Sequence, residues 1–389
     1  MLAEKKLSYL LERKVCNMNK VLGICNLHDG PHLGRLTADR PLGCVTFLGR
    51  YALIDFTLSN FTNSEINKMC VLVEDHVEAV EKHLENGEVW VANTKTGFQK
   101  ILFNENGVSS KKFNTDVANI LANRDTLDET NFDYVIIAPA FFVMNVDFRE
   151  VLKAHIYSQR KISVLYKKVD NTTGDFLNCD VLSFTKDKRV SAITTNTESS
   201  PKANISLETF IINKDEFFRI IEMQKQVSHI YTLRKMIAYV VENKLTEVNA
   251  IEFKDLVLPF LSYNHYVKHS LSVLNKDIAE NLFKKDWQTY TKIHSTPPTI
   301  FGPDAKVKNC YIANGSKIYG TVENCILSRD VVVEKGATVK DSILFTHTVI
   351  GKGVNAQYLV TDKYAKVVTE KEPKGEEDSY LYIGYGAKI

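Results

Sequence analysis

Arg35, Arg40 and Arg50 cluster around and after a loop rich in turn residues, Asn26 to Gly34. A guanidinium offers its donors as a planar fork that matches phosphate. The three arginines are therefore candidates for holding an anion, and pairing with nearby carboxylates is the alternative. Asp29, Asp116 and Asp147 carry the oxygens that a hard divalent cation needs. Asp147 also stands just before Phe148, Val151 and Leu152, where an N-cap is expected. His347 has the chemistry of an acyl-transfer base, but a lone histidine on a repeat is more simply a surface residue. The seven cysteines, Cys16, Cys25, Cys44, Cys70, Cys179, Cys310 and Cys325, are odd in number and contain no Cys-x-x-Cys pair. That pattern argues for reduced packing residues rather than a disulfide framework or a zinc site.

The elements that must position these groups alternate. Short apolar runs at Lys20–Cys25, Met69–Val73, Tyr134–Ala138 and Ile162–Tyr166 have the character of strands buried on both faces of a parallel sheet. Helical patterns follow at His76–Leu84 and Asp147–His155, and later at Lys214–Met223 and Tyr231–Glu242. This alternation predicts a doubly wound α/β domain, with ligands at the carboxyl ends of the strands. The loop at 26–34 and the segment at 138–146 both lie at such ends.

Ser295-Thr-Pro-Pro-Thr reads as a boundary. Beyond it the tetrads Asn309-Cys-Tyr-Ile, Asn324-Cys-Ile-Leu and Asp341-Ser-Ile-Leu recur. Aliphatic residues fall six apart at Ile312 and Ile318, Val333 and Val339, and Leu344 and Ile350, with glycines between. A six-residue period predicts a β-helix with a stacked aliphatic interior; an irregular β-sandwich is the alternative. Lys371–Asp378 is expected to be a loop before a last strand at Tyr380–Ile383. Leu7, Leu10 and Leu11 would share a face if residues 2–14 were helical, although an upstream extension of the fold accounts for this segment more simply.

The chain has 389 residues, 44% of them hydrophobic and 25% charged, with a formal net charge of +2. Length suits two domains. Near-neutral charge gives no reason to expect a nucleic-acid or membrane-surface partner. No apolar run approaches the roughly 20 residues of a membrane span, and the charged start lacks a secretory core, so a cytoplasmic protein is expected.

Leu33-Gly-Arg-Leu-Thr-Ala-Asp-Arg-Pro, followed by Gly49-Arg-Tyr-Ala-Leu-Ile-Asp-Phe-Thr-Leu-Ser-Asn60, closely resembles the bacterial ADP-glucose pyrophosphorylases, or glucose-1-phosphate adenylyltransferases. Gly320-Thr-Val-Glu-Asn-Cys-Ile and Glu334-Lys-Gly-Ala-Thr-Val-Lys-Asp-Ser-Ile extend the match through the repeats. The resemblance implies an α/β fold: a Rossmann-like nucleotidyltransferase domain, then a C-terminal left-handed parallel β-helix of hexapeptide repeats. The expected boundaries are an extension at 1–17, the α/β domain at 18–265, a linker at 266–296 and the β-helix at 297–389. It also implies attack of a glucose 1-phosphate oxygen on the α-phosphorus of ATP, assisted by magnesium and basic side chains.

Position by position, however, the chemistry of that family is missing. Its Gly-Gly-x-Gly-Thr-Arg loop is here Leu27-His28-Asp29-Gly30-Pro31-His32: two side chains replace glycine, Pro31 removes an N–H, and His32 replaces the arginine. Its Arg-Ala-Lys-Pro is Arg40-Pro41-Leu42-Gly43, so Leu42 replaces the lysine. Its metal-binding Ser-Gly-Asp-His becomes Pro139-Ala140-Phe141-Phe142, with Phe141 in place of the aspartate. The second metal-binding aspartate falls at His269. Gly-Thr-Ala-Asp-Ala is altered to Asn114-Thr-Asp-Val-Ala118, and Glu-Lys-Pro has only Ser200-Pro-Lys202 as a weak counterpart. Gly30, Arg35, Arg40, Arg50 and Asn114 remain as candidates for residual nucleotide or anion binding.

The resulting expectation is a regulatory, catalytically silent subunit with no metal or cofactor of its own. It would join a catalytic subunit that uses magnesium and ATP, in a tetrameric assembly, with a sugar phosphate or nucleotide as candidate effector. An active sugar-1-phosphate nucleotidyltransferase with relocated metal ligands, or a hexapeptide-repeat acyltransferase, are the alternatives.

Overall fold

The computed structural model describes residues 17–91, 94–105, 110–171 and 174–389. The reading of residues 2–14, and Cys16, lie outside them. The contacts divide the chain into two compact units, one of residues 1–30 and 56–257, the other of 31–55 and 258–389.

In the first unit, nine strands among the described residues form one mixed sheet. They are β1 Val21–Asn26, β2 Lys68–Leu72, β3 Phe98–Leu102, β4 Tyr134–Pro139, β5 Ile162–Asp170, β6 Asp180–Phe184, β7 Val190–Thr195, β8 Lys202–Asn213 and β9 Val248–Glu252. The parallel part runs β3-β2-β1-β4, and β8 lies antiparallel to β4 and to β5. β1 is flanked by β2 on one side and β4 on the other, so the strand order reverses there. Such a reversal opens a crevice beyond the strands' carboxyl ends. Val21, Leu22, Ile24 and Cys25 of β1 are fully buried, as strands covered on both faces should be. Gly23 has a specific reason: a Cβ there would stand 3.0 Å from the ring of Phe61.

The helices α1 Leu53–Asn63, α2 Val77–Leu84, α3 Asp116–Ala122, α4 Arg124–Asp128, α5 Phe148–Ser158, α6 Lys214–Val227 and α7 Leu233–Glu242 follow. Thr115 caps α3 by accepting from Ala118 N at 3.1 Å. Asp147 caps α5 by accepting from Arg149 N at 2.9 Å, as its position before an apolar stripe predicts.

α1 explains the long retained motif. Asp55 reaches back to accept from Ala52 N at 2.9 Å, which satisfies a donor at the helix start. About one turn apart, two polar side chains of the helix and Ser64 just after it then hold the end of β4 and the segment beyond it. Thr57 Oγ1 donates to Pro139 O at 2.9 Å, Asn60 bonds Met144 O at 2.8 Å and Val146 N at 3.1 Å, and Ser64 Oγ accepts from Phe148 N at 2.9 Å. Each replaces water for a buried backbone group.

In the second unit, residues 300–383 wind as a parallel β-helix. Its three sheets stack the strands at 300, 317, 332, 349 and 366, those at 306, 321, 338 and 355, and those at 311, 326, 343, 359 and 381. Ile318, Val322, Leu327, Val333, Val339, Leu344 and Ile350 fill the interior. This is the β-helix that the period predicts, and the sandwich alternative is excluded. At one corner Asn309 donates to Asn324 Oδ1 at 2.9 Å, and Asn324 to Asp341 Oδ1 at 3.1 Å. All three residues take positive φ, which Asn and Asp tolerate. The span expected to be a linker, 266–296, includes most of α8 Tyr263–Ser272 and all of α9 Lys276–Leu282. Ser262 and Asn275 cap these helices, and Tyr266, Val267 and Leu282 are buried.

Candidate functional site

The crevice of the first unit begins where β1 and β4 end. Leu27 N still bonds Leu72 O at 2.9 Å, which extends the β1–β2 pairing by one residue. The His28 ring turns inward and is 3% exposed. Its Nε2 lies 3.0 Å from Asn119 Nδ2 and its Nδ1 lies 3.3 Å from Asn114 O. Burial drives the imidazole pKa down to about 4. His28 is thus a packed, uncharged residue. Asn114 is fixed beside it, donating to Glu74 O at 2.9 Å. Asp29 is exposed at φ 52°. Partial desolvation and the neighbouring Asp116 raise its pKa.

Across the crevice, beyond β4, Phe141 is 5% exposed. Its ring centroid is 4.8 Å from that of Phe142, which stacks in turn on Phe176 at 6.5 Å. This is a hydrocarbon wall. It has no oxygen for magnesium, and the inward-turned His28 ring does not supply one. The residues here do not fit a hard divalent cation.

Two of the candidate carboxylates, Asp116 and Asp147, are committed to local hydrogen bonds. Asp116 accepts from Asn26 Nδ2 at 2.9 Å, Leu233 N at 2.9 Å and Val117 N at 2.8 Å, and so ties α3 to α7. Asp147 binds Arg149 through two further bonds of 2.9 and 2.8 Å. Among the described residues no group of three or more His, Cys, Asp or Glu is placed to hold a metal ion.

Sequence reasoning missed Glu208. It sits on β8 where the register slips between Ser206 and Phe210, at φ 48°. Arg234 NH1 bonds it at 2.8 Å, while the same guanidinium grips Asp180 at 2.8 and 3.0 Å. One cation serves two acids. Burial outweighs the attraction of Arg234, and Asp180 and Asp29 add repulsion, so the Glu208 pKa rises to about 7. The folded chain therefore holds this proton more tightly than the unfolded one. The stabilisation is complete below about pH 4.5 and is lost as pH rises through about 7. Between pH 5 and 8 the melting temperature of Glu208→Gln should consequently fall less than that of the native chain; equal slopes in a thermal scan would contradict this.

Gly30 closes the first-unit segment, and the remaining candidates belong to the second unit. Pro31 is partly buried and His32 is exposed. Arg35 is exposed. Arg40 is paired rather than presented to a ligand: Nε and Nη2 bond Asp39 at 2.7 and 3.1 Å, and Nη2 bonds Asp362 at 2.8 Å. The alternative of local carboxylate pairing holds for this residue. Leu42 is buried in a short 3-10 turn, Leu42–Cys44. His269 is buried on α8 with its ring edge toward Phe260, 6.0 Å between centroids.

Arg50 is the arginine that faces a cavity. Leu48 and Gly49 take positive φ and turn the chain between the short strands Thr46–Phe47 and Tyr51–Ala52. A Cβ at Gly49 would lie 2.6 Å from Leu327 O. The turn thus rests on the β-helix coils, and Arg50 O accepts from Arg329 Nη2 at 3.3 Å. Arg50, Arg329, Lys292 and His294 line a cavity of about 530 Å³, with Tyr51 stacked on Phe283 as one wall, 5.5 Å between centroids. Neither Arg50 nor Arg329 forms a salt bridge among the described residues. Burial and the charge of Arg50 lower the Arg329 pKa. Asp55 and Asp330 offset this in part, and two neighbouring guanidiniums that form no salt bridge favour an anion.

Residues 29–174 match the nucleotidyl transferase family model, and residues 300–378 match the GlmU-like C-terminal hexapeptide model. Over 372 residues the chain is 26% identical to the glycogen biosynthesis protein GlgD of Bacillus subtilis (strain 168), covering 95% of this chain and 96% of that one. It is 25% identical to the glucose-1-phosphate adenylyltransferase of Fervidobacterium nodosum, over 84% of this chain and 78% of that one. It is 27% identical to the enzyme of the same name from Thermosipho africanus, over 80% and 76%. These likenesses support an ADP-glucose pyrophosphorylase-family protein. The sheet, α1 and the β-helix suit that family's frame, and Phe141 and the buried His28 stand where the sequence resemblance implies departures from it. Among the described residues no helix is long and apolar enough to cross a membrane.

Proposed function

We propose that this chain is a non-catalytic, regulatory subunit of glucose-1-phosphate adenylyltransferase. It acts in glycogen biosynthesis in the cytoplasm, joining a catalytic chain in a tetrameric hetero-oligomer that supplies the magnesium and ATP chemistry. The observation that carries this reading is Phe141. The end of β4, where the family places a metal-binding carboxylate, is an aromatic wall, and α1 holds the surrounding backbone in place. Metal charge stabilisation contributes several kcal/mol to such a transfer, so its loss slows the reaction on the order of a thousandfold. The subunit would act by favouring the active state of its partner through interface contacts. The cavity at Arg50 and Arg329 takes its anionic effector, a sugar phosphate or a nucleotide.

Pyrophosphate release is measured with ATP, glucose 1-phosphate and magnesium, for this chain, for a catalytic relative, and for the two mixed. Silence alone and a gain in the mixture are expected. Turnover by this chain alone, or no complex on co-purification, would defeat the proposal. Arg50→Ala with Arg329→Ala should remove any rise in melting temperature given by hexose phosphates or nucleotides.

A further inference from the structure

Cys310 and Cys325 occupy the same place in consecutive coils. The strands beside them, Lys306–Lys308 with Thr321–Glu323 and Tyr311–Ile312 with Ile326–Leu327, pair in parallel and in register. Neighbouring strands lie about 4.8 Å apart, inside the Cα separation of about 4.4–6.8 Å that a disulfide spans. The two side chains also point alike. Cys310 Sγ lies 3.1 Å from Lys308 O on its own coil and 3.6 Å from Val322 O on the next. Cys325 Sγ repeats this at 3.0 Å from Glu323 O and 3.6 Å from Val339 O. In the following coil the column continues with Ser342, whose hydroxyl bonds Lys340 O at 2.6 Å, so the thiols form a closed pair.

The pair is also asymmetric. Cys325 is fully buried, whereas Cys310 is partly exposed on the first coil. The hydrogen bond from Cys325 brings the Cys310 thiol down to about 7, while burial pushes the Cys44 and Cys70 thiols up to about 12. A partly exposed sulfur with thiolate character beside a sheltered one is the arrangement of an attacking and a resolving thiol.

We propose that Cys310 and Cys325 are an oxidation site, at which a peroxide closes a disulfide between the first two coils of the β-helix. The Cys310 thiolate attacks one peroxide oxygen; the O–O bond breaks, giving Cys310 sulfenic acid and hydroxide. Cys325 sulfur then attacks the sulfenic sulfur. The S–O bond breaks, the thiol proton leaves with the hydroxyl as water, and the disulfide forms. Two thiols are oxidised and one peroxide is reduced to two waters. The bond ties the first coil to the second and resists its fraying.

The full chain is treated with hydrogen peroxide, digested without reductant and analysed by mass spectrometry, with dimedone present in a parallel sample. The expected product is a linked pair of peptides carrying Cys310 and Cys325, two hydrogens lighter than the separate thiols and released by dithiothreitol. Cys310→Ser should abolish the link. Cys325→Ser should instead leave Cys310 as a dimedone adduct. Serine already fills this column at 342, so both variants suit the coil, and a thermal melt checks that they fold. If Cys310 gives a dimedone adduct in the native chain without a link, or if both thiols stay reduced while another cysteine oxidises, the pair is a packing feature and the proposal fails.

Discussion

Asp362→Ala is expected to lower the unfolding free energy by about 3–5 kcal/mol, the usual cost of stripping one partner from a buried ion pair. Arg40 and Asp362 meet at 2.8 Å with side chains 5% and 2% exposed. Asp362 also accepts from Tyr382 OH at 2.7 Å and from Lys363 N at 2.7 Å. Alanine leaves the Tyr382 hydroxyl with only the long 3.5 Å contact to Arg35 O, and Arg40 leaning on Asp39, whose side chain is 57% exposed. The exposed partner should matter far less: Asp39→Ala is expected to cost about 1 kcal/mol or less. Urea unfolding of the two variants decides the matter. A midpoint shift of Asp362→Ala no larger than that of Asp39→Ala would show that the buried pair does not hold this unit.

Phe141→Asp should yield no pyrophosphate release above the native background and should destabilise the chain by about 3–5 kcal/mol or more. The stability cost has two sources. The substitution removes an aromatic ring from the Phe142–Phe176 stack, and it places a carboxylate in a hydrocarbon wall. The catalytic silence follows from the other positions. On the sequence resemblance, Leu42 and His32 also replace the family's basic residues, so one restored carboxylate is expected to have nothing to act with. Turnover in this variant would mean that the remaining frame is competent and that Phe141 alone silences it.

The frame was largely legible in the sequence. Buried strands such as Val21–Asn26 and Tyr134–Pro139 are continuous apolar runs, Asp147 precedes an apolar stripe, and the six-residue period marks the coils. What escaped is non-local. Nothing near Arg40 announces Asp362, 322 positions away. β8 was not recognised because the acidic Glu208 interrupts its apolar pattern at the register slip. Arg329 left a trace: in Ser328-Arg329-Asp330 a long cation interrupts the small and aliphatic residues of the coils, next to a positive-φ turn. Its pairing with Arg50 depends on the turn at Leu48 and Gly49 resting against Leu327, which only the folded chain displays.

Four bonds from α1 and from Ser64 just after it end on main-chain atoms at and beyond the end of β4: Pro139 O, Met144 O, Val146 N and Phe148 N. Such bonds are blind to the side chains they hold in place. A gene copy can therefore exchange the residues at 140 and 141 while Thr57, Asn60 and Ser64 keep the same loop in the same shape. Inheritance of the architecture and inheritance of the reaction become separable. A comparison weighted toward the best-preserved stretch, Leu53 to Asn60, scores the part of the molecule that says least about whether it turns over a substrate.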